Sequence, residues 1–461
     1  MKSLVLSAAI MFACQAAAEQ QPASKVVGGE DASKNYPWMA GLHVYQPATD
    51  AYQVYPFCGG SLIAPGWVVT AAHCITTPGN GADPLDYDQT AEETVVRVGL
   101  PDLVDTPQYF VSNLFAHPRY GVADGSYDTD IALVQLDSPA DVETISLADN
   151  DIMNKLESSS ILNDVVRIIG WGVYDDATFD PDNAGDGNQP DYLQEADIDY
   201  LPFSNSQCRS AWGGLTSNMI CAWEPTVNLA TLPNGQDACF GDSGGPLMIP
   251  ADTLLSSGHT RSDWLLGATS FGSTSCNSSE NPGIYTKLSR FAGWIEDTSE
   301  SAGDPLVDVN VVLSMPAGIN PDQDFSFVLT INNASINNNA SGVVATVSAN
   351  DSILSTTSSD CVLDGANWQC TVPRTMLPGM HHKIQFDGSW QGIDEGRLFA
   401  TASVRAAQDD YRIANNSFRA GSPVSASYVA KSKSGGGSVG ILWWIAPLFY
   451  LRRKFRNQSS N

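Results

Sequence analysis

The chain has 461 residues, 43% of them hydrophobic, and carries 51 acidic against 23 basic side chains for a formal net charge of −28. That length allows two or three domains, each with enough apolar residues for a core. The acidity excludes nucleic acid as a partner, because phosphate binding needs clustered Lys and Arg; it suits an exported protein that attracts cationic segments, or equally a general surface acidity with no part in recognition.

Residues 1–18 carry Lys2, then an apolar run, then Ala16-Ala17-Ala18. This is the pattern of a secretory signal peptide cut after Ala18, and its apolar run is too short for a membrane span. Export bears on the nine cysteines. With Cys14 in the leader, an even number remains, which in an oxidising compartment reads as disulfides. There is no Cys-x-x-Cys pair, so a zinc site is not expected. Residues 19–25 are polar and patternless, and Lys25-Val26-Val27-Gly28-Gly29 then opens an ordered segment.

Residues 42–44, 61–63 and 67–70 are short β-prone runs broken by Gly and Pro, the spacing of an all-β barrel or sandwich. His73, one of only six histidines, stands in Thr70-Ala71-Ala72-His73-Cys74. Residues 79–93 form an acidic loop that matches no calcium-ligand pattern and is taken as solvated. Asp130 lies in Asp128-Thr129-Asp130-Ile131-Ala132-Leu133, a polar turn entering a strand, where an aspartate is commonly a turn residue. Residues 165–171 are an apolar run ending in Gly170-Trp171, and residues 175–191 read as a long Asp/Gly/Pro-rich loop.

The most informative stretch is Asp237-Ala238-Cys239-Phe240-Gly241-Asp242-Ser243-Gly244-Gly245-Pro246. Glycines at this density are kept where the backbone needs φ > 0 or a close approach. Amide groups clustered beside a serine hydroxyl suggest a nucleophile with an oxyanion site. This decapeptide, Thr-Ala-Ala-His-Cys and Asp-Ile-Ala-Leu together resemble the three catalytic motifs of the chymotrypsin family of serine proteases, in its trypsin-like branch.

The resemblance covers about residues 26–298 and implies a role for each matching residue. Ser243 is the nucleophile, His73 the general base and Asp130 the residue that orients it, with Asp128 the only competitor. Gly241 and Ser243 supply the oxyanion hole. Asp237 lies at the bottom of the primary pocket between the open walls at Gly272 and Gly283, so the substrate side chain is Arg or Lys. Ser270-Phe271-Gly272 resembles the strand that binds the substrate backbone, with Phe271 where the family usually has Trp. Lys25 and Val26 match a zymogen activation site, and the freed Val26 amine pairs with Asp242. Disulfides are implied for Cys58 with Cys74, Cys208 with Cys221, and Cys239 with Cys276. A C-terminal helix of the protease domain begins at residues 291–295. No cofactor is implied, and no metal.

After about residue 300 the composition turns to Asn and Ser. Runs at 307–313, 325–331, 343–347 and 398–404 alternate or nearly so, as in a β-sandwich, with Cys361 and Cys370 closing a hairpin-like loop. His381-His382 have no further ligand in sight and are read as surface residues. Residues 431–438 are a Lys/Ser/Gly linker, residues 439–451 are apolar but short of the roughly 20 that span a bilayer, and residues 452–461 are basic. This order resembles the GlyGly-CTERM sorting tail of Gram-negative bacteria. It implies a transient membrane anchor, trimming by a rhomboid-type protease and export by a type II secretion system.

The expected fold is all-β: two six-stranded antiparallel β-barrels, trypsin-like, followed by an immunoglobulin-like β-sandwich and a short C-terminal hydrophobic helix. The expected domains are a signal peptide (1–18), an activation propeptide (19–25), a protease (26–298), a sandwich (304–430), a linker (431–438), a short transmembrane segment (439–451) and a cytoplasmic tail (452–461). The expected function is a secreted or cell-surface endopeptidase acting on protein or peptide substrates with Arg or Lys. The rival is a surface adhesin whose sandwich is the working part, or a binding protein, with the protease domain secondary or inactive.

Overall fold

The computed structural model describes residue 26 and residues 28–426, apart from 80–87, 100, 103–105, 123–126, 159–164, 174–188, 214, 225–235, 256–257, 260–261, 274–275, 277–280 and 394. The expected leader, activation segment, linker, apolar run and basic tail lie outside the described residues. Among the described residues, no helix is long and apolar enough to cross a membrane.

The first half closes into a barrel from β1 (Met39–Gln46), β2 (Cys58–Ala64), β3 (Trp67–Thr70), β4 (Thr94–Val98), β5 (Gln108–Ala116) and β6 (Ala132–Leu136). The strands neighbour in the order β1-β2-β3-β6-β5-β4, and β4 pairs back onto β1 through Ala40↔Val98 to Val44↔Thr94. Closure leaves this ring no free edge. Val68-Val69 and Val95-Val96 are β-branched residues that suit a pleated, buried surface. Every residue of β2 is buried, because one face fills the barrel and the other meets the second half: Gly59 N–H donates to the Ser243 carbonyl at 2.7 Å.

After α1 (Asn150–Ser158) comes the second barrel. Its strands are β7 (Val165–Gly170), β8 (Gln194–Leu201), β9 (Met219–Trp223), β10 (Pro246–Ile249), β11 (Trp264–Phe271) and β12 (Gly283–Lys287). Their order is β7-β8-β9-β12-β11-β10, closing back on β7. This is the connectivity of the first barrel repeated. Helix α2 (Ser206–Trp212) is capped by the Asn205 side chain, which accepts from Gln207 N at 2.8 Å, and stops at a left-handed Gly213. Helix α3 (Ala292–Ser301) leaves the second barrel and packs Ala292 and Ile295 into the core of the first.

The C-terminal part is two sheets on one core. Strands β13 (Val309–Ser314), β14 (Phe325–Asn333), β15 (Val344–Ala349), β16 (Ser352–Ser355), β17 (Cys361–Asp364), β18 (Asn367–Thr371), β19 (His381–Trp390), β20 (Glu395–Arg405) and β21 (Ser417–Ser425) form it. The sheets run β13-β14-β19-β16 and β17-β18-β15-β20-β21. Alternation decides which residues meet: Phe325, Phe327, Leu329 and Ile331 of β14 share the core with Leu398, Ala400, Ala402 and Val404 of β20. Cys361 and Cys370 are direct cross-strand partners of the β17–β18 hairpin and are bonded to each other.

Candidate active site

His73 sits in a single turn of 3-10 helix, Ala72–Cys74, immediately after β3. Two features fix this turn. The Cys58–Cys74 disulfide ties it to β2, and Thr70 Oγ1 donates to the Gly59 carbonyl at 2.7 Å. Asp130 lies just before β6, with no solvent exposure. Its carboxylate accepts from His73 N–H at 2.9 Å, from His73 Nδ1 at 2.8 Å and from Ser270 Oγ at 2.6 Å. Its carbonyl accepts from Thr286 Oγ1 at 2.6 Å. A buried carboxylate is tolerated only when its acceptor sites are so filled. Since a carboxylate only accepts, the shared proton sits on Nδ1 and Nε2 of the neutral ring is an acceptor. Burial works against the imidazolium, but the Asp130 charge and hydrogen bond outweigh it and raise the His73 pKa above its ordinary value.

Asp128 lies elsewhere. Its carboxylate accepts from the Thr216 hydroxyl and, at 3.1 and 3.2 Å, from Asn218 Nδ2. It therefore links the loop before β6 to the approach of β9.

Ser243 is carried by a chain of tight turns. Asp242 N–H donates to the Cys239 carbonyl at 3.0 Å, Gly245 N–H to the Asp242 carbonyl at 2.8 Å, and Gly244 N–H to the Thr269 carbonyl at 2.8 Å. Gly244 has φ = +72°, and a Cβ there would lie 2.1 Å from Thr70 Oγ1. No other residue meets both conditions. The neighbouring Cys239–Cys276 disulfide holds the same segment to the loop after β11, and Cys208–Cys221 joins α2 to β9.

Asp242 is buried and accepts from Gly172 N–H at 2.8 Å and Cys239 N–H at 2.9 Å. Its carboxyl lies so close to the end of β7 that a Cβ on Gly172 would come within 2.4 Å of it. Burial pushes its pKa up to about 6, against the pull of the two amides. Val26 is buried in the core cluster of the second barrel, which also takes in Ala148, Ile152 and Leu156, at a backbone φ of +59°. Gln236 Nε2 donates to the Gly28 carbonyl at 2.7 Å, so the segment before Asp237 holds the start of the ordered chain. Lys25 lies outside the described residues.

A cavity of about 320 Å³ gathers these groups. His73, Asp237, Ser243, Ser270, Gly272 and Gly283 all line it. Asp237 is 4% exposed, and Ala238 N–H donates to its Oδ1 at 2.9 Å. A Cβ on Gly283 would sit 3.0 Å from Asp237 Oδ1 and 3.2 Å from the Tyr285 hydroxyl, so a side chain there would close the way to Asp237. At Gly272 a Cβ would find its nearest neighbour at 3.9 Å, across the space at Gly283. Gly241 adopts φ = +95° one turn before Ser243.

Two aromatics, Tyr127 and Trp212, escape a reading of the sequence and meet Phe271, which it named. The Tyr127 ring lies 6.3 Å from the His73 ring and 5.3 Å from Phe271, and Phe271 in turn meets Trp212 edge-on at 5.4 Å. Tyr127 comes from the loop before β6, Phe271 from β11 and Trp212 from α2, so no local pattern joins them. The sole hint is Phe271, at a position where the family usually carries a larger aromatic.

A family model described as "Trypsin" matches residues 26–295. A trypsin of Squalus acanthias is 31% identical over 283 residues, covering 60% of this chain and 97% of that protein. A glandular kallikrein of Sus scrofa is 31% identical over 290 residues, covering 60% of this chain and 96% of its own length. Chymotrypsin-like elastase family member 3B of Homo sapiens is 31% identical over 293 residues, covering 61% and 91%.

Proposed function

Because the chain belongs to the trypsin family of serine proteases, we propose that it is a secreted endopeptidase, made as a zymogen, that cuts protein or peptide chains after Arg or Lys. One observation carries the reading: the cavity lined by His73 and Ser243 is also lined by the buried carboxylate of Asp237. A carboxylate so enclosed favours a cation at the end of a long side chain. Glycines at 272 and 283 leave that side chain room.

In the mechanism, Ser243 Oγ attacks the scissile carbonyl while His73 Nε2 takes its proton. The oxyanion is received by the Gly241 and Ser243 N–H groups, carried on the same turn. His73 then gives the proton to the leaving amine, and water repeats the sequence on the acyl-enzyme. Asp130 keeps the Nδ1–H tautomer and stabilises the imidazolium, in line with the raised His73 pKa.

Activation is proposed to depend on cleavage after Lys25. The freed Val26 amine would supply the cation that favours ionised Asp242. Two facts support this. Asp242 titrates near 6, with the Cys239 and Gly172 amides as the donors that favour its charged form, and the β-branched Val26 holds a left-handed backbone conformation that costs on the order of 1–3 kcal/mol. The leader, the immunoglobulin-like identity of the sandwich and the trimmed sorting tail belong to the same proposal: an exported enzyme, anchored briefly at the membrane and released to the medium or cell surface.

The test is a cleavage-site profile on a peptide library, using chain that begins at Val26. Cuts after Arg and Lys, absent from Ser243→Ala, are the expected result. Cuts after other residues would overturn the specificity, and no cuts at all would overturn the protease reading.

A further inference from the structure

Helix α3 ends the second barrel, yet one of its side chains does not belong to either barrel. Glu296 has no solvent exposure. Its carboxylate accepts from three successive backbone amides of the loop after β14: Ile336 N–H at 3.1 Å, Asn337 N–H at 2.6 Å and Asn338 N–H at 3.2 Å. A fourth donor, the Tyr411 hydroxyl at 2.7 Å, comes from the loop between β20 and β21. The exchange is mutual. Asn338 Nδ2 donates to the Glu296 carbonyl at 3.0 Å and to the Leu306 carbonyl at 2.9 Å. Asn337 Nδ2 donates to the Gly293 carbonyl at 3.1 Å and to Asp297 at 2.8 Å.

The same end of the sandwich grips two more places. Trp67 Nε1, at the head of β3, donates to Asp304 at 2.9 Å. Leu147 N–H donates to the Tyr411 carbonyl at 3.0 Å, and Ala414 N–H to Ser146 Oγ at 3.1 Å. Ser146–Leu147 is the short strand laid parallel on β11 of the second barrel. Tyr411 and Leu306 are themselves fully buried in the core cluster of the first barrel. Behind the seam, Arg412 pairs with Asp308 at 2.7 Å, and Asp410 accepts from Val309 N–H and Arg412 N–H.

Linked domains usually move relative to one another unless their interface is large or apolar. Here the core of the first barrel runs on into Leu306 and Tyr411, and the buried Glu296 takes its donors from across the seam. We propose that the sandwich is an obligatory part of the catalytic unit: the partner that the outer face of α3 is built to bind, and a clamp across both barrels. The clamp bears on the proposed reaction because the triad is divided. His73 and Asp130 come from the first barrel and Ser243 from the second. The barrel side of α3 leads there directly: Phe291 and Trp294 pack on His117 at 5.4 and 5.2 Å, and His117 N–H donates to the carbonyl of Ile131, next to Asp130. The activity part of this inference rests on the protease reading; the folding part does not.

The first two substitutions change only the sandwich and read the barrels. Tyr411→Phe and Asn338→Ala are made in the full chain on a Ser243→Ala background, so that self-cleavage plays no part. Calorimetry of the parent should give one transition, and Tyr411→Phe should lower it by roughly 2–4 °C with no second transition splitting off. Amide hydrogen exchange should speed up in β6 and α3 as well as in β14 and β21. Two separate transitions, with β6 exchange untouched by either substitution, would overturn the clamp. Glu296→Gln, which keeps the shape but puts an NH2 donor where one oxygen accepts two of the four hydrogen bonds, should act in the same direction from the other side of the seam; no effect would count against it. In active chain, the half-life of peptide cleavage on heating should shorten for Tyr411→Phe. If exchange couples the two parts but no peptide is ever cut, the clamp stands and the protease reading fails.

Discussion

The two barrels share one strand order and differ in how each holds its buried aspartate. Asp130, on the first, receives a backbone amide, an imidazole and a hydroxyl, all within 2.9 Å. Asp242, on the second, receives two backbone amides, and burial raises its pKa to about 6. The proposed acid–base half of the site has its hydrogen bonds in place as the chain stands. In the proposed zymogen the nucleophile half is held by a carboxyl that would be better served by a cation. The same connectivity therefore supports a fixed element in one barrel and a conditional one in the other, and the difference lies in which side chains reach each carboxyl.

The largest break in this comparison is removal of the nucleophile. Ser243→Ala should lower kcat/KM on an arginyl or lysyl peptide by about 10⁴-fold or more without altering the circular dichroism. Asp130→Asn attacks the complete half. It should cost about 10⁴-fold in kcat, because the ring loses the carboxylate that sets its tautomer, and the acid limb of the pH–rate profile should move down as the His73 pKa falls. A limb that stays in place would show that Asp130 does not govern the titration.

Asp237→Ser bears on specificity alone. Cleavage after Arg and Lys should fall roughly 10²–10³-fold while the labelling of Ser243 by a neutral phosphonate persists. Equal loss of both reactions would place Asp237 in the fold rather than the pocket.

The smallest effect sharpens the comparison itself. The folded-state pKa of Asp242 lies above its ordinary value, so the folded uncleaved chain holds a proton that the unfolded chain releases first. Its contribution is present below about pH 4 and is lost as pH rises through about 6, an effect of about 3 kcal/mol. Urea unfolding of Ser243→Ala, with the Lys25–Val26 bond intact or cut, should show the two forms diverging across that window, the cut form losing less. Asp410, raised to about 7 by burial and by Asp308, slopes the same way in both forms and cancels in their difference. Parallel curves would remove the Val26–Asp242 pairing from the mechanism.

Much of the site was legible because its chemistry is local. The turn at Ser243 needs its own glycine at 244, and the turn at His73 needs its own cysteine at 74, so adjacent residues carry the signal. The strand runs at 67–70, 165–171 and 325–331 were readable for the same reason, since burial in a strand imposes its period on neighbours. Helices α1 and α2 escape such a reading. Both are short and depend on caps and on the barrels they cover, as with Asn205 bonded ahead of α2.

By itself, then, the sequence determined the two halves of the proposed triad, the proposed pocket carboxylate and the alternation of a C-terminal sandwich, each being a demand on a few consecutive residues. Only the tertiary structure decided what lies beside them. Tyr127, Phe271 and Trp212 meet from three elements. Asp128, two residues from Asp130, turns away to Thr216 and Asn218. Glu296, in the acidic pair Glu296-Asp297 of α3, has the sequence of a solvated face, yet it has no exposure at all at the seam. Its donors lie 40 to 115 residues further along the chain. A buried charge is specified by whatever donors surround it, and those donors come together only when distant segments are packed.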